Sequence, residues 1–235
     1  MNSNSQKDPL WDLVRAERAA LAEDLAGLSA EQWQHSTLCG LWNVEQVLAH
    51  LTAGASMNQR QWLRSMIAAR FRPDVHNQRR LAEHLGRTPA ETLALFRGVI
   101  NSTTAPSSHT AAYLGEVVVH AQDIRQPLGL PRTPAPEALA AVADFYTSRD
   151  FAVPSRSTAD GFQLRATDGR FTAGYGLLVT GPTLALVMSI AGRAAYLDQL
   201  AGPGAATLRT RVQRGIGNGG GDGGALAWAS NQEKE

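Results

Sequence analysis

A chain of 235 residues is long enough for one large domain or two small ones. With 43% hydrophobic and 18% charged residues it can bury a core, and 22 basic against 21 acidic residues leave a net charge of +1, with no basic run of the kind that nucleic acids require. No apolar stretch reaches the roughly 18 residues of a membrane span. Met1–Asp8 lacks the apolar region of a secretory signal, and the single cysteine, Cys39, excludes an internal disulfide, so a cytoplasmic protein is expected.

Asp8 followed by Pro9 reads as an N-cap and a first helical position. Leu10, Leu13, Val14, Leu21 and Leu25 then recur at helical spacing, interrupted by Glu17, and Gly27 is the expected stop. Ser29 is expected to cap a short turn over 30–34, with Gln32 at the third position of a capping box. Asn43 and Gln46 repeat that signal for a second long helix, predicted to run to about Ala69. Its stripe is Val44, Val47, Leu48, Leu51 and Ala55, and His50 lies beside it, where its ring can turn inward. Thr88-Pro89-Ala90-Glu91 opens a third helix, with Leu93, Phe96, Val99 and Ile100 on its apolar face. A fourth is predicted from Ala111 to Gln126, ended by Pro127 and Gly129. Four long helices with modest loops point to an up-and-down-type bundle.

Thr133 is the expected cap of a further helix over 135–146. After Asp150 the period changes. Phe162–Thr167 alternates as a half-buried strand, Asp168-Gly169 is a turn signal, and Leu177–Thr180 reads as another strand. Helices over 183–191 and 194–200 follow, and Thr207–Val212 alternates again as a last strand. The expected fold class is α+β, mostly α: a helix bundle over 1–149, a small mixed α/β domain over 150–214, and a flexible Gly-rich tail over 215–235, where Trp228 has no assigned role.

Chemistry concentrates in Glu116-Val-Val-Val-His120. Residues four apart share one helix face, so this carboxylate and imidazole point the same way. With His50 from a second helix they make a three-ligand set with positions left open, as in a catalytic metal site. The same spacing also occurs as a weak surface charge pair, and a histidine on an apolar helix is often a core residue. Asp123, three residues past His120, is a candidate partner for an imidazole N–H or for a local ion pair. Arg125 is a candidate to hold a substrate carboxylate, or else a solvated residue near a helix end. Cys39 is expected to be a small buried residue rather than a nucleophile, Trp42 a packing residue, and His35, His76, His84 and His109 surface residues.

Three segments resemble the mycothiol-dependent maleylpyruvate isomerase family within the DinB-like superfamily. They are Leu38-Cys39-Gly-Leu-Trp42-Asn-Val44 through Leu-Ala-His50-Leu51; Gly115-Glu116 through His120-Ala-Gln-Asp123-Ile124-Arg125; and Val179-Thr-Gly-Pro182 through Ala191-Gly-Arg193. The family usually has Gly before the Trp, where this chain has Leu41. The resemblance implies a DinB-like four-helix bundle that holds a divalent metal, usually zinc, on His50, Glu116 and His120. It also implies mycothiol or another small thiol as cosubstrate, bound to the metal as thiolate, with a small-molecule electrophile as partner and neither nucleic acid nor membrane. The reaction would be isomerisation or S-transfer. A DinB-like hydrolase and a non-catalytic metal- or ligand-binding protein are the alternatives.

Overall fold

The computed structural model describes residues 8–40 and 42–217. The expectations about Leu41, Trp228 and most of the tail fall outside them.

Helix α1 (Leu10–Leu25) starts where Asp8 accepts the Leu10 N–H at 3.0 Å. Glu17, which interrupted its stripe, is buried and accepts the Ala135 N–H at 2.9 Å, the first turn of a later helix. The capping boxes at Ser29 and Asn43 both form, opening α2 (Ala30–Trp33) and α3 (Val44–Ala55). The second long helix does not continue to Ala69. It stops at Ala55, and a third capping box, Asn58 with Gln61, starts α4 (Gln59–Ala68). A helix that the sequence reading lacked, α5 (Pro73–His84), then returns along α3. It buries His76, contrary to its expected surface position. Thr88 caps α6 (Pro89–Gly98), and α7 spans Thr110–Leu128 with Gly129 left-handed at φ 65°.

Helices α1, α3, α6 and α7 pack as the central bundle, with α5 against α3. Helix α8 (Pro136–Ser148) lies on α7 and leads through α9 (Ser155–Ala159) into a small sheet. Strand β1 (Phe162–Ala166) is central, antiparallel to β2 (Thr172–Gly174) and parallel to β3 (Leu177–Gly181), with Leu164 opposite Val179. Helix α10 (Thr183–Ile190) packs on α8, and a 3₁₀ segment, Ala194–Gln199, follows. The predicted last strand is instead part of helix α11 (Ala205–Gly217), which also takes up the first residues of the expected tail. Leu208 and Val212 are the buried positions of that segment. They are four apart, so they satisfy a helical period as well as an alternating one. A single hydrophobic cluster runs from Val14 of α1 to Val212 of α11.

Pro127, inside the last turn of α7, positions the loop before α3. It has no N–H, so the Asp123 carbonyl loses its usual donor four residues on. The Leu38 N–H takes that carbonyl at 3.0 Å, which ties the chain just before Cys39 to α7. Pro127→Ala restores the competing helical donor. Leu38 amide exchange is then expected to quicken roughly five- to tenfold, about the worth of one net hydrogen bond. Unchanged protection at Leu38 would show that the proline plays no part in docking the loop.

Candidate metal centre

His50 projects from α3, and Glu116 and His120 project from the facing α7. Glu116 Oε2 lies 3.5 Å from His50 Nε2 and 3.3 Å from His120 Nε2. The donor atoms of all three residues fall within 4.8 Å of one another. Those separations are long for hydrogen bonds between a charged pair. They match the edge of a tetrahedron whose centre lies about 2.1 Å from each N or O donor, an edge of about 3.4 Å. The donor set thus fits a divalent ion.

The two imidazoles are held in place from behind. The His50 ring packs under Trp42, with ring centroids 4.9 Å apart, and edge-on to His120 at 5.1 Å. His120 Nδ1 meets Asp123 Oδ2 at 3.0 Å, which directs Nε2 toward Glu116. Asp123 is fully buried and is gripped by Arg193, whose Nε and Nη2 donate to its two oxygens at 3.0 and 2.7 Å. Arg193 Nη1 donates to the Ala191 carbonyl. Tyr146 of α8 closes the same region. It fits because residue 115 is glycine, where a Cβ would lie 2.8 Å from the tyrosine hydroxyl.

The electrostatics follow from this packing. Burial lowers the His50 pKa more than Glu116 raises it, so the ring is neutral. Burial also opposes charge on His120, but Cys39, Asp123 and Glu116 outweigh it and hold the ring well above the usual imidazole range. Burial raises Glu116, yet its contacts with His120 and His50 bring it far below the ordinary carboxylate value. Burial likewise opposes charge on Asp123, and Arg193 and His120 keep it ionised.

The five predicted site residues divide. His50, Glu116, His120 and Asp123 come together. Arg125 does not join them: it is neither at the cluster nor solvated. It is fully buried and its Nε donates to Asp24 of α1 at 2.8 Å. The sequence reading missed three features. Cys39 is brought to His120 and Asp123, within 4.8 Å of their donor atoms. Arg193 reaches Asp123 across 70 positions, which no local pattern reveals. A cavity of about 110 Å³ beside His50 and Glu116 is lined also by Arg18, Trp62 and Arg80. For Cys39 a signal existed: proline four residues after Asp123 announces a free carbonyl.

Residues 14–105 match the family described as Mycothiol maleylpyruvate isomerase N-terminal domain. That stretch contains His50 and ends before α7. Two solved structures share the fold over most of the chain. One is the mycothiol-dependent maleylpyruvate isomerase, with a TM-score of 0.56 and 17% identity, covering 83% of this chain and 92% of its own. The other is a mutant of that isomerase with one histidine changed to alanine, with a TM-score of 0.57, 16% identity and the same coverage. No curated protein matches the chain in sequence. The resemblance seen in the motifs therefore reappears in the N-terminal family match and in the fold. Among the described residues no helix is long and apolar enough to cross a membrane.

Proposed function

We propose that this chain is a cytoplasmic metal-dependent enzyme that uses a small thiol, such as mycothiol, to isomerise a small electrophile or to transfer the thiol's sulfur to it. The observation that carries the reading is the convergence of two imidazole Nε2 atoms on one Glu116 oxygen at 3.3 and 3.5 Å, at the wall of a cavity. Zinc bound there by two neutral imidazoles and one carboxylate would keep a net charge of about +1 and would favour ionisation of a thiol that otherwise has a pKa near 8.5.

The protein's own groups do the rest. Glu116 and the two histidines fix the ion at the cavity wall. Asp123 holds the His120 tautomer, and Arg193 keeps Asp123 charged and still. The largely apolar cavity limits water beside the electrophile. The division near residue 149 belongs to the same reading. The bundle supplies the ligands and the cavity, and segment 150–214 supplies Arg193.

The test is turnover of activated alkenes, beginning with maleylpyruvate, by metal-loaded protein with and without mycothiol. Turnover that requires the thiol is expected. Turnover that is indifferent to thiol would replace this reading with a hydrolase or another metal enzyme that needs no thiol, and bound metal with no turnover across the panel would favour a binding protein.

A further inference from the structure

The outer face of α4 has no part in the site described above. Among the described residues, three of the six large apolar side chains left in water belong to it: Leu63, Ile67 and Phe71, at 48%, 55% and 64% exposure. They are spaced by four, so they stand in one line along the helix and its end. None of them joins the hydrophobic core. The inner face is satisfied without them. Met66 and Ala69 are buried, and Trp62 and Met66 line the cavity beside His50 and Glu116.

Positive charge surrounds that line. Arg64 and Arg70 lie three residues before and after Ile67, and Arg60 lies three before Leu63. All three arginines are exposed, and segment 59–72 contains no Asp or Glu. Among the described residues no carboxylate forms an ion pair with any of them. A chain whose net charge is only +1 thus gathers apolar and cationic surface on one helix. The helix end holds the last member of the line outward at a cost. Arg70 and Phe71 both take left-handed backbone, φ 53° and 54°, which residues other than glycine seldom adopt. The Phe71 N–H closes the helix on the Met66 carbonyl at 2.8 Å, a type of ending for which α7 uses Gly129.

Charge and area select the occupant. A second copy packed antiparallel about a two-fold axis at Ile67 would set Arg64 of one chain against Arg70 of the other. Half of three large side chains, at most roughly 250 Å² each, also falls well short of the roughly 800 Å² per partner of a stable dimer. An anionic lipid surface meets both conditions. It takes up a single line of apolar side chains at the headgroup boundary without a complementary groove, and it attracts the arginines beside them.

We propose that α4 docks the protein on an anionic lipid surface, with Leu63, Ile67 and Phe71 entering the headgroup boundary and Arg60, Arg64 and Arg70 meeting lipid phosphates. This goes beyond the function proposed above and does not rest on it. It needs no spanning helix, and it departs from the sequence-based expectation of no membrane partner. The test is co-sedimentation of the full chain with vesicles of phosphatidylcholine alone and of equimolar phosphatidylcholine and phosphatidylglycerol. Each arginine near an anionic surface contributes about fivefold, so the mixed vesicles are expected to bind about tenfold or more tightly. Leu63→Ser with Ile67→Ser should weaken binding to the mixed vesicles about tenfold or more. Arg60→Gln with Arg64→Gln should remove most of the preference for them. If the serine variant does not fold, the arginine variant decides alone, because it leaves the apolar line in place. Absence of binding to the mixed vesicles, equal binding to both kinds, or a preference that survives the arginine variant overturns the proposal. Self-association that the serine variant abolishes, without vesicle binding, would overturn it in favour of a second copy of the chain.

Discussion

Glu116→Gln is expected to leave the chain folded and to abolish its divalent-metal binding. The side chain keeps its shape, and its carboxylate is a quarter exposed, so the bundle loses no packing. What goes is the one negative charge between two imidazoles, carried on the oxygen that both of them face. Disturbing a group that merely orients a metal ligand costs about 10–100-fold in affinity, and removing the ligand's charge should exceed that. Elemental analysis after metal loading should fall from about one ion per wild-type chain to near zero, and the melting temperature of the stripped protein should fall as well, because the ionised Glu116 is held by the two imidazoles. Wild-type metal content in the variant would disprove the three-ligand assignment. The pH dependence follows from His120. Its pKa is held well above the usual value by Cys39, Asp123 and Glu116, against burial, so an entering metal displaces a proton there. Wild-type affinity should therefore rise with pH, about tenfold per unit below that pKa, until the ring is neutral without metal.

Local chemistry explains which parts of this architecture were legible in the sequence. The caps at Ser29, Asn43 and Thr88 depend on one side chain and one N–H a turn away, and all three form. Glu116 and His120 meet because helical geometry alone puts positions four apart on one face. The break after Ala55 was missed although Asn58 and Gln61 carry the same capping signal, because apolar periodicity continues across it. Helix α5 was missed because its face against α3 contributes little apolar side chain, and His76 was misplaced along with it. Segment 207–212 satisfied two periods at once. Arg193 could be placed only by tertiary packing, since nothing near it in sequence signals a carboxylate 70 residues away.

Asp123→Asn should damage the protein in two separable ways. Asp123 has no exposure and accepts three bonds: Arg193 Nε on one oxygen, and Arg193 Nη2 and His120 Nδ1 on the other. Asparagine offers one acceptor oxygen and turns an NH₂ toward a donor, leaving Arg193 as a buried cation without its counter-charge. Breaking one side of a buried pair costs about 3–5 kcal/mol. At about 2–4 °C per kcal/mol for a chain of this size, the melting temperature should fall by roughly 6–20 °C. The second effect is local. Without the carboxylate, His120 loses the bond that fixes its tautomer, and metal affinity should fall about 10–100-fold. Adding Arg193→Met separates the two, because the stranded cation goes while the loose imidazole stays. The double variant should regain much of the lost melting temperature and none of the lost metal affinity. Recovery of both would mean that Asp123 acts on the site only through the fold, and a single variant that melts like wild type would mean that Arg193 finds another partner.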